Sequence, residues 1–187
     1  MLFVIEHLEP KLSEWLRIEY SHAARLVGHK RLMITNVKDP SEFHKVEKIA
    51  RVDRKSVRVL YKQSDILVLD PRAQKKLSPR DLLDKEAMVI GGILGEEPPL
   101  GRTRELLTKA IPKALARNLG KGQFAIDGAT YMAKQVSEGR SLGDIPIKHG
   151  LEVQVSKVYS TSLPYVFPLV SGKPLISSEL LDYLKHH

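Results

Sequence analysis

AMVIGGILGEEPPLGRTR, at residues 87–104, is a short apolar run that breaks into glycines and then into acids, prolines and arginines. Residues 87–90 predict a buried strand, and the glycines at 91, 92 and 95 allow backbone groups to approach a bound molecule closely. In open α/β sheets, small ligands bind at the carboxyl ends of the strands. The stretch therefore predicts a ligand site at the end of this strand.

Short apolar runs alternate with helical patterns on both sides of this stretch. We expect strands at 2–5, 31–37 and 66–69 and a weaker strand at 113–118. We expect helices at 12–27, from Pro40, at 78–85, at 103–111 and from an Asp127 cap to Glu138. Residues 57–61 fit either a strand or a linker. Strands that alternate with helices form mainly parallel sheets. The predicted fold class is therefore α/β, with a mainly parallel sheet and helices on both of its faces.

The pattern changes after residue 150. Valines at 153, 155 and 158 partly alternate with polar residues, which predicts a small antiparallel β appendage at 151–175. Ser177 and Ser178 then cap a terminal helix around 180–184. A length of 187 residues is typical of one domain, so we expect a single domain over 1–187.

The composition excludes several classes of protein. Cysteine is absent, which removes disulfide frameworks, thiolate nucleophiles and cysteine zinc sites, and agrees with a cytoplasmic location. No apolar run reaches the roughly 20 residues of a membrane span, and the histidines lack metal-site spacing, so we expect neither a membrane nor a metal. The net charge of +8 suits an anionic partner such as RNA, although basic soluble enzymes carry similar charge.

Two common phosphate-binding motifs do not fit the glycines of this stretch. A P-loop has four residues between its glycines and then a lysine, whereas five residues separate Gly95 from Gly101 and Arg102 follows. GGILG also lacks the G-x-G-x-x-G register of dinucleotide sites. Taken alone, the stretch fits either a turn without a ligand or another kind of small-molecule site.

Two further strand ends carry similar loops. LDPRA stands at 69–73, and NLGKGQFAID stands at 118–127. Because the carboxyl ends of parallel strands meet at one edge of the sheet, we expect the three loops to converge. Their convergence predicts a small-molecule pocket.

At these loops the chain resembles the SPOUT class of methyltransferases, in the branch of predicted RNA methyltransferases that includes a fungal arginine methyltransferase of a ribosomal protein. The resemblance is carried by Ile5-Glu-His-Leu-Glu9, Ser13-Glu-Trp15, Glu19-Tyr20, LDPRA at 69–73, GGILG at 91–95, Pro98-Pro99, Arg102-Thr103, Glu105-Leu106, Leu119-Gly120, Gln123, Asp127 and Ala129. It implies a C-terminal trefoil knot, a rare exception to unknotted chain connections, and S-adenosylmethionine as the cofactor. Residues 100–101 and 124–126 depart from the family pattern, which leaves the methyl acceptor open between a protein arginine and RNA.

The resemblance also implies which residues bind the cofactor. They are Leu69, Asp70, Pro71, Arg72, Gly91, Gly92, Ile93, Leu94, Gly95, Arg102, Leu119, Gly120, Gln123, Ala125 and Ile126. Arg72 and Arg102 suit the carboxylate of the cofactor's methionine, and they suit structural ion pairs equally well.

An arginine acceptor needs carboxylates around it, because a guanidinium is protonated at neutral pH. The candidate catalytic residues are Glu96, Glu97 and Asp127, with Glu6 and Glu9 as outer contributors. The alternatives are ordinary surface acids or, for Asp127, a helix cap.

The expected partner is a ribosomal protein or RNA that accepts the methyl group, and both a monomer and a homodimer remain open. An RNA acceptor would face a basic surface, but an aromatic content of 6% supplies few side chains for base stacking. The alternative function is a non-catalytic RNA- or ribosome-associated module with the same fold.

Overall fold

A sheet of six parallel strands lies at the centre of the computed structural model, which describes residues 1–96, 98–156 and 158–186. The strands are β1 (Leu2–His7), β2 (Leu32–Thr35), β3 (Arg51–Val52), β4 (Ile66–Leu69), β5 (Ala87–Gly92) and β6 (Leu115–Arg117). Their order is β3-β2-β1-β5-β4-β6, and every neighbouring pair is parallel. The predicted α/β fold is confirmed, whereas β3 was missed because two residues show no periodicity.

Helices cover both faces of this sheet. They are α1 (Glu14–Val27), α2 (Pro40–Val46), α3 (Val57–Leu60), α4 (Arg102–Leu106), α5 (Ile126–Ser137) and α6 (Ser178–His186). Phe3 and Ile5 pack on the face that α1 and α5 cover, whereas Val4 between them packs on the opposite face with Val57. Because both faces are buried, the strands read as continuous apolar runs rather than as alternating patterns.

The ends of α1 are set by local signals in the sequence. The Ser13 side chain accepts a hydrogen bond from Leu16 N at 3.2 Å. Gly28 follows the helix with φ of 90° and donates its N–H to Ala24 O. These caps satisfy backbone groups that a helix leaves without partners at its ends.

The start of α5 differs from the prediction. Its N-cap is Ala125, which has no side-chain acceptor, and Asp127 lies inside the first turn, so the predicted Asp127 cap is wrong. Glu19 of α1 accepts a hydrogen bond from Ile126 N at 2.8 Å instead. A carboxylate on another helix therefore satisfies this end and ties α5 to α1.

Two shorter segments also differ from the predictions. Residues 57–61 are neither a strand nor a linker, because α3 begins there after a cap by Ser56. Residues 78–85 form only a 3-10 helix, Pro79–Leu82, with a capping box at its start.

The predicted helix at 103–111 divides into α4 and a 3-10 helix, Thr108–Ala110. Leu107 stands at the break with φ of −120°, outside the helical region. Leu107 and Ile111 are both fully buried in the core on the α3 face of the sheet. The break in the helix brings both side chains to that core.

A second, antiparallel sheet follows α5. It consists of β7 (Ile147–Gln154), β8 (Ser160–Val170) and β9 (Lys173–Pro174). Val166 of β8 donates its N–H to Gln123 O, and it bridges to Phe124. The second sheet thus contacts the loop that follows β6. Within the described residues, no helix is both long and apolar enough to cross a membrane.

Candidate active site at the ends of three strands

The loops after β4, β5 and β6 enclose a cavity of about 290 Å³. Of the 15 residues predicted to bind a cofactor, 13 line it: Leu69, Asp70, Pro71, Arg72, Gly91, Ile93, Leu94, Gly95, Arg102, Leu119, Gly120, Gln123 and Ile126. Three segments far apart in sequence therefore meet at one edge of the sheet, where open α/β folds bind ligands.

Gly92 and Ala125 are the two predicted residues that the structure places outside the cavity lining. A Cβ on Gly92 would lie 2.8 Å from the backbone oxygen of Glu6 and would overlap the Tyr20 hydroxyl. Gly92 thus permits close packing of β5 against its neighbours. Ala125 caps α5 and accepts a hydrogen bond from Ala129 N.

Gly95 allows the loop after β5 to lie against the rest of the site. A Cβ there would overlap Nε2 of Gln123 and lie 2.5 Å from Cε1 of Tyr165. The Tyr165 hydroxyl donates to Gly95 O at 3.2 Å. The glycine therefore lets a side chain from the loop after β6 and one from the second sheet support the cavity wall.

Asp70 carries a buried, unsatisfied acceptor in the cavity wall. The residue is 1% exposed, and Oδ1 accepts a hydrogen bond from Arg72 N at 2.8 Å. Oδ2 has no hydrogen-bond partner among the described residues, and the guanidinium of Arg104 is 4.0 Å away. A buried acceptor in this state costs stability, so it fits a ligand that brings a donor.

At the rim of the cavity, Arg102 lies between two carboxylates. Its guanidinium donates to Glu96 at 2.8 Å and to Glu9 at 3.0 Å. Glu9 also accepts from Leu94 N at 2.9 Å, which anchors the loop after β5. Arg102 therefore forms the ion pairs that were one of its two predicted roles, and it also lines the cavity. Glu96 lines the cavity, and Glu97 lies outside the described residues.

Glu6 does not belong to the rim. It is fully buried and accepts hydrogen bonds from the hydroxyls of Thr35 and Ser56 and from Val57 N. Its carboxylate joins β1 to β2 and to the start of α3. The prediction of an outer catalytic contributor is therefore replaced by a structural role for this residue.

Asp127 also lies outside the cavity lining, inside a buried polar cluster with α1. Its Oδ2 is 2.6 Å from His22 Nδ1. Glu19, beside it, accepts from Trp15 Nε1 at 2.6 Å as well as from Ile126 N. Burial, and then the charge of Asp127, raises the pKa of Glu19 to about 8, although both hydrogen bonds lower it.

Sequence reasoning missed part of the site. The cavity is also lined by Ile90, Pro99, Leu100, Gly101, Thr103, Gly122, Phe124 and Ala129. Most of them are neighbours of predicted residues in the same loops, so the loops themselves were the available signal. Among the described residues, no group of three or more histidines or carboxylates is arranged to hold a metal ion.

A family model described as "Protein arginine N-methyltransferase SFM1-like" matches residues 2–187. The protein arginine N-methyltransferase SFM1 of Saccharomyces cerevisiae is 30% identical over 201 residues, which cover 99% of this chain and 94% of the yeast protein.

Solved structures agree with that match. The structure of the yeast enzyme complexed with SAH has a TM-score of 0.91 and 29% sequence identity, and the match covers 98% of this chain and 94% of the yeast chain. The structure of the same enzyme complexed with SAM has a TM-score of 0.90 and 30% sequence identity, and the match covers 99% of this chain and 90% of the yeast chain. The dual specific Trm10 of Thermococcus kodakaraensis has a TM-score of 0.53 at 18% identity, covering 64% of this chain and 77% of its own. The last likeness concerns the fold alone.

Proposed function

The chain belongs to the SFM1-like family of protein arginine N-methyltransferases, and from that membership we propose that it transfers a methyl group from S-adenosylmethionine to an arginine of a ribosomal protein. The family resemblance predicted from the loop motifs is confirmed, as is the predicted class of S-adenosylmethionine-dependent methyltransferase. The observation that carries the proposal is the cavity at the ends of β4, β5 and β6, with the unsatisfied Asp70 oxygen in its wall.

The residues of the cavity suit this cofactor. Asp70 Oδ2 offers a buried acceptor to an amino or hydroxyl donor of the nucleoside, and the glycines bring backbone groups close to it. Arg72 lines the cavity and interacts with the exposed Glu105 without forming a close ion pair among the described residues, so its guanidinium is available to the carboxylate of the methionine portion. When bound, S-adenosylmethionine supplies a methyl group activated by the positive charge on its sulfur.

The rim supplies the carboxylates that an arginine acceptor needs. Glu96 is exposed and lines the cavity, and its partner Arg102 is held by Glu9 as well. An incoming guanidinium can replace Arg102 at Glu96 while the Arg102–Glu9 pair remains. Glu96 then orients the acceptor and stabilises its charge, and the exposed rim lets the proton that the methylated nitrogen loses pass to solvent. Within the proposed mechanism, Glu19 and Asp127 act as positioning residues for α5.

The proposal extends to the domain organisation of the chain, its location and the knot. We infer one domain over 1–187 with the second sheet as an appendage, a cytoplasmic location, and a trefoil knot in which 118–126 passes behind the loop after β5. Contact of Gln123 with Gly95 supports that passage. A crystal structure that traces 118–126 outside this loop would exclude the knot. Sedimentation velocity distinguishes a monomer from a homodimer.

The cofactor assignment is tested by calorimetry. We expect the wild-type chain to bind S-adenosylmethionine and Asp70→Asn to bind it more weakly. The amide of the variant keeps one oxygen as the acceptor for Arg72 N but replaces the second carboxylate oxygen with a nitrogen that cannot accept. A lost hydrogen bond to a charged group corresponds to about 1.5–3 kcal/mol, or roughly ten- to a hundredfold in Kd. Absence of binding by the wild-type protein would refute the proposal.

The acceptor is tested separately. Labelled S-adenosylmethionine is incubated with the protein and with separated ribosomal proteins, ribosomal RNA and tRNA. Label on an arginine of a ribosomal protein supports the proposal. Label that enters only RNA overturns the arginine acceptor, and no transfer to any fraction despite cofactor binding supports the non-catalytic alternative.

A further inference from the structure

A basic cleft of about 650 Å³ lies between α1 and α2 and shares no lining residue with the cofactor cavity among the described residues. Its charged side chains are Arg17 and Arg25 of α1, Lys45 of α2, Lys48 just after α2, and Glu179 of α6, with His29 beside them. Four cations and one acid line the cleft, and because Arg17 pairs with Glu14 and Arg25 with Glu179, the excess positive charge comes from Lys45 and Lys48.

The topology separates this cleft from the cavity. α1 follows β1 and α2 follows β2 in a parallel sheet, so the C-terminal ends of both helices point away from the edge that carries the cofactor loops. Gly28, at the C-terminal end of α1, lines the cleft, as do Lys45 and Lys48. A ligand in the cleft therefore leaves the cavity accessible.

The cations of the cleft are available for binding. Lys45 and Lys48 are exposed and form no ion pair with any described residue. Arg17 pairs with Glu14, and Arg25 pairs with Glu179, at positions where the side chains remain about a third to a half exposed. Surface pairs of this kind contribute at most about 1 kcal/mol, so they exchange readily with a competing anion.

Helix stability does not account for the whole arrangement. A cation near a helix C-terminus gains about 0.3–1 kcal/mol from the helix dipole, which explains Arg25 and Lys45 on their own helices. It does not explain why Arg17, two turns earlier in α1, and Lys48, beyond the end of α2, line the same cleft. What the four basic side chains have in common is that they all line this cleft.

We propose that this cleft binds the phosphodiester backbone of RNA and anchors the enzyme to a ribonucleoprotein, separately from the site of methyl transfer. Arg17 and Arg25 are eight residues apart, about 12 Å along α1, which suits a row of charges rather than a single small anion. Among the described residues that line the cleft, His29 carries the only aromatic ring, so the contacts fit phosphates rather than a row of stacked bases. The net charge of +8 adds long-range attraction for the same partner.

The test compares two double variants by fluorescence anisotropy with a labelled RNA duplex of arbitrary sequence, titrated with salt. Lys45→Gln/Lys48→Gln removes two charges from the cleft. Lys113→Gln/Lys173→Gln removes two exposed lysine charges that line neither cavity. Each lost phosphate contact lowers the slope of log K against log salt by about 0.9. We expect the cleft variant to lose about 2 in slope and at least tenfold in affinity at about 0.1 M salt, and the control to change less than about twofold.

Three outcomes overturn the anchor: a wild-type protein that does not bind the duplex, equal losses in the two variants, or a cleft that binds polyglutamate but not RNA. The last outcome would indicate an acidic protein partner. Circular dichroism melting confirms that both variants fold. S-adenosylmethionine affinity and arginine methylation of isolated ribosomal proteins are measured alongside, so failure of the anchor is distinguishable from failure of the methyltransferase assignment.

Discussion

The buried carboxyl of Glu19 predicts an unusual dependence of stability on pH. Its pKa is about 8 in the folded protein, against an ordinary value of 4.5, because burial and the charge of Asp127 disfavour the ionised form. Between these two values the unfolded chain is ionised at this residue and the folded protein holds the proton. A raised folded pKa therefore contributes stability that is fully present below about pH 4.5 and is lost as the pH rises through about 8.

The size of the effect follows from the shift. One unit of pKa corresponds to about 1.4 kcal/mol, so a rise from 4.5 to about 8 amounts to roughly 5 kcal/mol across the window. Glu19→Gln removes this titration. In the wild-type protein one carboxyl oxygen of Glu19 accepts from Trp15 and the other accepts from Ile126 N. The variant replaces one of these oxygens with an amide nitrogen that cannot accept, at a cost of about 1–3 kcal/mol. The wild-type protein should be the more stable at about pH 5, and the variant the more stable above about pH 8.

Urea unfolding followed by circular dichroism, from about pH 5 to about pH 9, measures the difference between the two proteins. Taking the difference removes the contribution of other groups that titrate in both. Glu14→Gln is the matched control, because it is the same change on the same helix at a carboxylate that is 52% exposed. A wild-type-minus-variant difference that stays constant over the whole range would refute the reasoning about Glu19.

Two further predictions concern the cavity. Gly95→Ala should weaken S-adenosylmethionine binding by roughly five- to a hundredfold in calorimetry, because its Cβ displaces Gln123 at an overpacking cost of about 1–3 kcal/mol. Gly143→Ala, in open space, is its control. A Gly95 variant with unchanged affinity would show that this wall does not contact the cofactor. Arg102→Gln should lower kcat for arginine methylation more than it weakens cofactor binding, because Glu9 and Glu96 lose the cation between them. If kcat and the affinity for S-adenosylmethionine fall by the same factor, Arg102 acts on the cofactor instead.

Much of the site was predictable because it depends on strand ends. The apolar run before Gly91 identifies β5, and the same kind of run identifies β4 before Asp70. Parallel pairing then brings the loops after both strands to one edge, whatever the details of the helices. This reasoning needs only local sequence and a general property of parallel sheets.

The roles of the acids were not predictable in the same way. Asp127 has the sequence context of a helix cap, yet the acceptor for the start of α5 is Glu19, 107 residues earlier in the chain. Glu6 and Glu9 are three residues apart, but one is buried among hydroxyls and the other pairs with Arg102 at the rim. Which carboxylate faces the cavity depends on tertiary packing, which the spacing of residues does not report.

The position of Trp15 gives this protein a built-in optical reporter. It is the only tryptophan in the chain, so indole emission has one origin. Its Nε1–H donates to Glu19, which in turn holds the first residue of α5, and its ring meets Tyr183 of the terminal helix edge-on, with centroids 6.1 Å apart. Movement of either helix changes the surroundings of the same fluorophore, so the wild-type sequence needs no attached dye to follow them.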